Sequence, residues 1–285
     1  MASPFHTEPV DATFGAVITG IKLASLDDGS WQALYHTWLK YALLIFPEQH
    51  LSREEQAAFA KRFGKLEFEL GRLTNVEADG TVIPETEDSD RIKVLKGNMG
   101  WHSDSTYMPL QAKGAVFSAR VVPAAGGETE WADMRAAYDA LDDVLRAKIA
   151  DLAAYHSFYF SQAKLGHTPR KGSDYNGYGF HDGPVPLRPI VKVHPETGRK
   201  SLVIGRHAHN IPNMDPKDSE SLLQDLMDFA CRPPRLYRHN WSAGDVVIWD
   251  NRCLLHRAMP WDMKEPRVMW HTRIAGDPVS EAGVN

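Results

Sequence analysis

Two short segments of the chain contain residue types whose spacing could perform chemistry. In Gly100-Trp-His102-Ser-Asp104, a histidine and a carboxylate lie two residues apart. On an extended chain, residues i and i+2 project to the same side, so both side chains can approach one point. A second histidine ends the run Trp249-Asp-Asn-Arg-Cys-Leu-Leu-His256. Two histidines and one carboxylate form the facial triad that holds non-haem Fe(II) and leaves positions open for other ligands.

An arginine beyond the second histidine adds a candidate anion site. Arg267 lies 267 − 256 = 11 residues after His256, past a turn predicted at Pro260–Pro266 and at the start of the last predicted strand. Such a turn returns the chain antiparallel and can place the guanidinium beside the metal. Because arginine binds carboxylates bidentately, this arrangement suits a dicarboxylate co-substrate that chelates iron with one end and pairs with Arg267 at the other.

The elements that must position these residues are mostly strands. Apolar, β-branched or alternating runs predict strands at Gly15–Ile21, Ala42–Phe46, Gly114–Pro123 and Glu128–Trp131, the last of them short and at a sheet edge. A hairpin is predicted around His194–Arg199, and three strands within Tyr237–Ile274. Helices are predicted at Asp28–Tyr41, after the capping box of Ser52 and Glu55, after Asp133 and after Asp215. Many strands without regular β–α alternation favour an antiparallel β-sandwich or barrel with helices packed outside.

Composition limits the remaining possibilities. The chain has 285 residues, of which 43% are apolar and 24% are charged, and its formal net charge is −5. Since no repeat, linker or long apolar stretch is evident, we expect a single domain over residues 1–285, without a membrane span or signal peptide. The mildly acidic balance argues against nucleic-acid binding. Two cysteines, Cys231 and Cys253, are too few for a disulfide scaffold, and we expect a cytoplasmic enzyme.

The chain resembles the taurine / 2,4-dichlorophenoxyacetate family of Fe(II)- and 2-oxoglutarate-dependent dioxygenases. The resemblance runs from Gly15 to Arg273. Its motifs are Trp-His102-Ser-Asp104-Ser-Thr, Val-Val-Pro-Ala-Ala-Gly-Gly-Glu-Thr129, Asp-Met-Arg-Ala-Ala-Tyr-Asp-Ala-Leu141, His194-Pro-Glu-Thr-Gly-Arg-Lys, Gly244-Asp and Trp249-Asp-Asn-Arg-Cys-Leu-Leu-His256-Arg. It implies a mainly β fold with flanking helices around a double-stranded β-helix (jelly-roll) core. It also implies Fe(II), 2-oxoglutarate and O₂, which yield succinate and CO₂ while a substrate is hydroxylated.

The resemblance assigns roles residue by residue. The residues that match the family's iron ligands are His102, Asp104 and His256. Thr129, 129 − 102 = 27 residues after the first ligand, matches the threonine that binds the distal carboxylate of 2-oxoglutarate. Arg267 matches the arginine that pairs with that carboxylate, and Asn98 matches an asparagine near the co-substrate and substrate. An intact carboxylate ligand favours hydroxylation over halogenation, which needs that position free for chloride.

Within the family, three stretches resemble the branch that cleaves 2-aryloxypropionates. They are Ala42-Leu-Leu-Ile-Phe-Pro, Gly205-Arg-His-Ala-His209 and Pro266-Arg-Val-Met-Trp-His271. The resemblance therefore implies a small anionic aryloxyalkanoate of the herbicide type, whose hydroxylation and ether cleavage yield a phenol and a 2-oxoacid. An alkylsulfonate, a sulfate ester or another organic acid is the alternative substrate. By family analogy we also expect a homo-oligomer.

The chain departs from the family where a second arginine often follows the first by four residues. Here that position is His271, and Arg273 follows it. On a strand both share a face with Arg267, so positive charge near the substrate can be supplied differently. The candidate substrate-contacting residues are His207, Arg206, His271, Arg273, Lys93 and Tyr107. The long Gly- and Tyr-rich stretch 161–186 predicts a lid or a plain insertion.

Three other interpretations fit part of this pattern. A histidine–aspartate pair can be a hydrogen-bonded pair on a sheet surface. The three candidate ligands could instead hold Zn²⁺ in a hydrolase, or the chain could be a non-catalytic jelly-roll binding protein. The zinc hypothesis leaves Thr129 and Arg267 without a purpose, and a binding protein would not need an intact triad beside a carboxylate clamp.

Overall fold

The computed structural model describes residues 4–86, 89–166 and 184–285 of the chain. Its strands, in chain order, are β1 His6–Pro9, β2 Ala16–Thr19, β3 Leu43–Phe46, β4 Leu66–Thr74, β5 Gly114–Val121, β6 Thr129–Asp133, β7 Ala153–His156, β8 Leu187–Pro189, β9 Val191–Val193, β10 Lys200–Leu202, β11 Ala208–His209, β12 Leu236–His239, β13 Val246–Asp250, β14 Leu254–Ala258 and β15 Val268–Ile274. Its α-helices are α1 Asp28–Tyr41, α2 Arg53–Lys61, α3 Asp90–Gly97, α4 Met134–Asp139, α5 Asp143–Ile149, α6 Phe158–Ala163 and α7 Pro216–Ala230.

Two sheets form the centre of the fold. The larger sheet has the strand order β1-β2-β3-β13-β5-β15-β4, and only the β2–β3 pairing in it is parallel. The smaller sheet has the order β12-β6-β14 and is antiparallel. Two further sheets, β11-β7-β8 and β10-β9, carry short strands. This is the predicted jelly-roll architecture, and the antiparallel pairing is the one that the sequence favoured.

Strand β13 shows why the neighbouring strands β3 and β13 of the larger sheet read as continuous apolar runs. Val246 and Ile248 pack in the cluster that includes residues of α1 and α2. Val247 and Trp249 instead pack toward the smaller sheet, against Trp131 of β6. Because successive side chains of a strand point to opposite faces, a strand that is covered on both faces needs an apolar residue at every position.

Several predicted elements are confirmed in detail. Helix α1 has the predicted bounds, and Ser52 and Glu55 form the predicted capping box before α2. Asp133 caps α4, and Asp215 caps α7 with a proline in its first turn. The predicted hairpin is the antiparallel β9–β10 pair.

The run from Val246 to His256 was expected to be one strand and is two. The chain turns at residues 251–253, so β13 lies in the larger sheet and β14 in the smaller one. The three strands predicted within Tyr237–Ile274 are therefore four. The cause is local, since the Asp250 carboxylate accepts the Arg252 backbone N–H at 2.9 Å and ends the strand with an Asx turn.

Two further predictions are corrected. Strand β6 is not an edge strand: it lies between β12 and β14, and its buried Glu130 pairs with Arg238 and Arg257. Residues 101–106 do not form a strand either, since His102 makes a single isolated bridge and Asp104 begins a turn.

Most of the predicted lid, residues 167–183, lies outside the described residues. Its first residues belong to helix α6. Among the described residues, no helix is both long and apolar enough to cross a membrane.

Candidate active site

The two candidate histidine ligands are brought together by their own backbones. The His102 N–H donates to the His256 carbonyl at 3.0 Å, and the His256 N–H donates to the His102 carbonyl at 2.8 Å. The two ring centroids are consequently 4.2 Å apart. The Nδ1 of His102 lies 2.7 Å from the Gly100 carbonyl oxygen, which leaves its Nε2 for a metal. The Nδ1 of His256 meets no hydrogen-bond partner within the described chain.

Asp104 completes the trio. Ligand atoms of His102, Asp104 and His256 all lie within 4.8 Å of one another, and all three residues are buried. The Oδ1 of Asp104 is 3.8 Å from the Nε2 of His256. The donor set is two imidazoles and one carboxylate, which suits a non-haem iron or manganese ion.

Burial and charge keep the three groups in the protonation states that a metal requires. Burial lowers the pKa of His102 to about 4 and that of His256 well below its ordinary value. Both imidazoles are therefore neutral near pH 7. Burial alone would raise the pKa of Asp104, but the Arg273 guanidinium and the neighbouring histidines hold it well below the usual range. The carboxylate is therefore ionised.

A buried cation lies at the other end of the site. Arg267 donates through Nε and Nη2 to the Gly127 carbonyl oxygen, at 3.2 and 3.0 Å. It has no carboxylate within 4 Å among the described residues, and burial lowers its pKa to about 10. A buried guanidinium without a carboxylate partner favours an anionic ligand beside it. The residues present thus fit the distal carboxylate of 2-oxoglutarate.

Thr129 is prepared to join Arg267 in binding such an anion. Its hydroxyl oxygen accepts a hydrogen bond from the indole N–H of Trp241 at 2.9 Å. Because a hydroxyl has one proton, this contact leaves the Thr129 proton free to donate to an anion. Trp241 was not among the sequence-predicted site residues.

One cavity joins the trio to Thr129 and Arg267. His207 also faces this cavity, with its ring centroid 4.9 Å from that of Tyr107 and 6.0 Å from that of His102. Leu73, Val94 and Phe158 add an apolar wall beside Tyr107. The cavity therefore has a metal-ligand end, a cationic end and an apolar side.

The remaining candidates divide into two groups. Asn98, His271 and Arg273 line the cavity. Arg206 and Lys93 do not: Arg206 instead hydrogen-bonds to the Gly97 carbonyl and to Gln162, and Lys93 lies half-buried on α3.

A family model supplies the comparison that decides the class of the protein. The model of the taurine catabolism dioxygenase TauD, TfdA family matches residues 6–273. The chain belongs to the TauD/TfdA dioxygenase family.

Named relatives of this TauD/TfdA chain are similar over its full length. It is 64% identical over 285 residues to an "(S)-phenoxypropionate/alpha-ketoglutarate-dioxygenase" of Sphingobium herbicidovorans, which covers 100% of this chain and 99% of that protein. It is 58% identical over 287 residues to a protein of the same name from Delftia acidovorans, with 99% and 98% coverage. The solved structure of "AAD-2 in complex with Mn(II) and N-oxalylglycine" superposes with a TM-score of 0.89 at 36% identity, covering 98% of this chain and 99% of that one. The protein is therefore an alpha-ketoglutarate-dependent dioxygenase, and the zinc-hydrolase and binding-protein hypotheses lose their support.

Asn251 lies in the Trp249–His256 motif and contacts Asp104, but it was not among the site residues predicted from the sequence. The Nδ2 of Asn251 donates to the Oδ2 of Asp104 at 3.3 Å, while its Oδ1 accepts from the Asp104 backbone N–H at 3.3 Å and the Trp249 indole at 2.9 Å. A polar amide that is buried between two apolar runs must find partners, and that signal could have identified it.

A second group of potential metal ligands consists of His194, Asp250 and Cys253. We interpret this group as structural and not as a metal site. The His194 Nδ1 accepts two backbone N–H bonds, and its Nε2 lies 3.0 Å from the Asp250 carboxylate. Arg252 occupies the same carboxylate at 2.6 and 2.8 Å. Burial raises the pKa of the Cys253 thiol, so it stays protonated. The ligand atoms are thus already engaged.

Proposed function

We propose that this enzyme uses Fe(II) and 2-oxoglutarate to hydroxylate an (S)-2-aryloxypropionate at its ether carbon. The resulting hemiketal collapses to a phenol and a 2-oxoacid, so one O₂ and one 2-oxoglutarate yield one phenol, one 2-oxoacid, succinate and CO₂. The carrying observation is Arg267, a buried guanidinium without a carboxylate partner in the described chain, in one cavity with the histidine–aspartate trio. The names of the two relatives above 50% identity support the substrate class.

We assign the metal to His102, Asp104 and His256, and the distal carboxylate of 2-oxoglutarate to Arg267 and Thr129. When bound, the iron supplies oxygen activation coupled to oxidative decarboxylation of 2-oxoglutarate. The chain's own residues orient the reactants. Arg267 pairs with the carboxylate, Thr129 donates its hydroxyl proton to it, and Asn98 borders the co-substrate from the end of α3, where its carbonyl accepts the Ala258 N–H at 2.8 Å.

The substrate ring fits the apolar side of the cavity, against Tyr107 and Phe158, whose centroids are 5.0 Å apart. His207 lies between this wall and the ligand His102. Its Nδ1 is 2.8 Å from the Ser161 hydroxyl, which leaves Nε2 for a ligand. Burial holds the pKa of His207 well below its ordinary value, so the ring is neutral, and we place its Nε2 against the substrate.

The test supplies Fe(II) and 2-oxoglutarate without oxygen and then admits air with separate (R)- and (S)-2-aryloxypropionates. Phenol and succinate released in equal amounts on the (S) acid support the proposal. Succinate without phenol retains the dioxygenase and rejects the aryloxy substrate. An alkylsulfonate and an alkyl sulfate ester, tested in parallel, then distinguish the alternative substrates.

The substrate contact is tested by His207→Gln. It should raise KM for the aryloxy acid and leave KM for 2-oxoglutarate unchanged. His209→Gln is the matched control, because His209 stacks on Phe160 outside the active-site cavity. Equal effects of the two substitutions would reject a specific contact.

The single domain over residues 1–285, the homo-oligomer and the cytoplasmic location remain proposals. Light scattering on the purified chain tests the oligomer, and limited proteolysis tests the single domain.

A further inference from the structure

We propose that Arg273 is a positioning residue that holds the Asp104 carboxylate for the metal, rather than a residue that binds substrate, and that Glu67 completes this function. The proposal rests on the assignment of Asp104 as a metal ligand in the proposed function. It concerns the position at which the chain departs from its family, where His271 replaces an arginine and Arg273 follows two residues later.

The guanidinium of Arg273 is directed at protein acceptors. Its side chain is 5% exposed, and Nη2 donates to the Oδ1 of Asp104 at 3.2 Å. Its Nη1 donates to the Ser105 hydroxyl at 3.0 Å and to Glu67 at 3.4 Å. Its Nε is buried without a partner in the described part of the chain. Both terminal nitrogens are thus committed to the protein.

These contacts restrain the ligand from two sides. Arg273 of β15 donates to one carboxylate oxygen of Asp104, and Asn251, in the turn after β13, donates to the other. A carboxylate with a donor on each oxygen cannot rotate freely, so its remaining lone pairs stay directed toward the two histidines. His271 adds little to this restraint, because its Nε2 is 3.5 Å from the Oδ2 of Asp104, too far for a strong hydrogen bond.

A bulge in β4 brings Glu67 to this network. Arg273 pairs with Phe68 and the next residue, Ile274, pairs with Leu66, so Glu67 is an extra residue without a partner on β15. Bulges of this kind redirect a side chain. The Glu67 carboxylate accepts the Ser105 hydroxyl at 2.9 and 3.0 Å.

Ser105 shows what this contact stabilises. It has φ of +58°, a left-handed conformation that is unfavourable for a residue with a side chain. Ser105 directly follows the ligand Asp104, so its conformation sets the direction of the ligand. Glu67 and Arg273 both hydrogen-bond the Ser105 hydroxyl, Glu67 as acceptor and Arg273 as donor.

The charges distinguish Arg273 of β15 from Arg267, which directly precedes that strand. Arg273 is compensated by Asp104 and Glu67, whereas Arg267 has no carboxylate within 4 Å among the described residues. A compensated buried cation gains little from a further anion, while an uncompensated one favours it. Arg267 is therefore the anion-binding arginine, and Arg273 serves the ligand.

The experiment measures Mn(II) binding by calorimetry on the full chain after chelation, for the wild type, Arg273→Gln, Arg273→Lys and Glu67→Gln. Loss of an outer hydrogen-bond partner weakens metal binding on the order of 10- to 100-fold, and we expect this for Arg273→Gln. Glu67→Gln should weaken it less, and Arg273→Lys should restore part of the loss. At saturating Mn(II), binding of the (S)-2-aryloxypropionate should be unchanged.

Glu69→Gln is the matched control, because Glu69 lies on the same strand but is 70% exposed and pairs with Lys61. It should leave Mn(II) affinity unchanged. The visible spectrum of the Co(II)-substituted protein reports the geometry of the ligands, and it should change in Arg273→Gln and Glu67→Gln but not in Glu69→Gln.

An Arg273→Gln protein that binds Mn(II) like the wild type and loses the aryloxy acid would overturn the proposal. If that variant does not fold, Arg273→Lys is judged by the same two affinities. An unchanged Mn(II) affinity and an unchanged Co(II) spectrum in Glu67→Gln would show that Glu67 does not help to position Asp104. Asp104→Asn separates the two proposals: if it still binds Mn(II) as the wild type does, the ligand assignment is wrong, independently of Arg273.

Discussion

Arg267 is a buried cation for which the described residues supply no carboxylate partner. Its guanidinium is buried, contacts the Gly127 carbonyl and lies over the Trp261 ring at 5.2 Å. Fixing such a cation before the ligand arrives moves the cost of orienting it from binding to folding. The backbone at residues 126–127 can come this close to the Arg267 guanidinium because both residues are glycines.

Arg267→Gln should weaken 2-oxoglutarate binding by about 1.5–3 kcal/mol, or about 10- to 150-fold, because a charge-assisted bond is lost. The measurements are KM for 2-oxoglutarate and the Kd of N-oxalylglycine for the Mn(II) protein. Arg120→Gln is the control, since Arg120 contacts the Leu51 carbonyl and stacks on Trp270 away from the cavity. With a 2-oxoacid that lacks a distal carboxylate as co-substrate, the wild type and Arg267→Gln should have the same KM. If they do not, the contact is elsewhere.

His156 provides a pH-dependent test of a different kind. It is fully buried, neither ring nitrogen has a partner in the described chain, and burial holds its pKa well below 6.5. Below pH 6.5 the unfolded chain binds a proton that the folded chain does not. Stability is therefore lost as pH falls through 6.5, by about 1.4 kcal/mol per pH unit for this group.

Urea unfolding at pH 8 and pH 5.5 measures this effect. His156→Leu removes the titrating group, so the drop in unfolding free energy between the two pH values should be smaller than in the wild type. His36→Leu is the control, since His36 is exposed on α1. The same drop in wild type and His156→Leu would assign the acid sensitivity to other groups.

Candidate site residues were predictable from the sequence where they lie close together along the chain and have side chains that suit the same chemistry. His102 and Asp104 are two residues apart, and Arg267 follows the second histidine past a recognisable turn. Glu67 and Asn251 were not identified, because their roles depend on a bulge and on a chain reversal. Neither feature is visible in residue spacing, although the alternation Leu66-Glu-Phe-Glu-Leu70 did carry the signal for strand β4.

At the scale of elements, the loop before β6 decides the shape of the anion site. Gly126 and Gly127 have φ of +78° and +71°. A Cβ on Gly127 would lie 3.1 Å from the Nε of Arg267 and 3.1 Å from a ring carbon of Pro123. The loop therefore needs glycine for both conformation and space.

Gly127→Ala should lower the unfolding free energy by about 1–2 kcal/mol through its left-handed conformation and also raise KM for 2-oxoglutarate by displacing Arg267. Gly198→Ala separates the two effects. Gly198 has φ of +68°, but a Cβ at this position would meet nothing within 4 Å, so only stability should fall. Urea unfolding and steady-state kinetics measure the two quantities, and an unchanged KM in Gly127→Ala would contradict the steric argument.

Elements were predictable where a pattern had one explanation. The apolar stripe and cap of α1 allow only a helix, and the fold class followed from the number of strands. The boundary between β13 and β14 was missed because both halves are apolar, and the separating turn is made by buried polar residues that hydrogen-bond their own backbone. A pattern of apolar residues indicates which residues are buried, but it does not indicate which sheet a strand joins.

At the scale of the molecule, ligands that bind only the folded site should stabilise the whole chain. At 100 times its Kd each ligand contributes about 2.7 kcal/mol, so Mn(II) and N-oxalylglycine together contribute about 5.4 kcal/mol, which corresponds to roughly 11–22 °C in the melting temperature of a domain of this size. Thermal unfolding with and without a chelator measures the shift. Asp104→Asn should lose it, and a shift from N-oxalylglycine that persists with chelator in that variant would contradict binding through the metal.

The backbone bridge between His102 and His256 also bears on how the protein comes into being during synthesis. The two residues are 256 − 102 = 154 positions apart, and closing so long a loop costs entropy that only later contacts recover. A nascent chain on the ribosome has no such site until β14 has left the exit tunnel and joined the smaller sheet. Iron therefore cannot template the early stages of folding. Its uptake reports that β14 has joined the smaller sheet, so metal binding follows this step of assembly and does not direct the earlier ones.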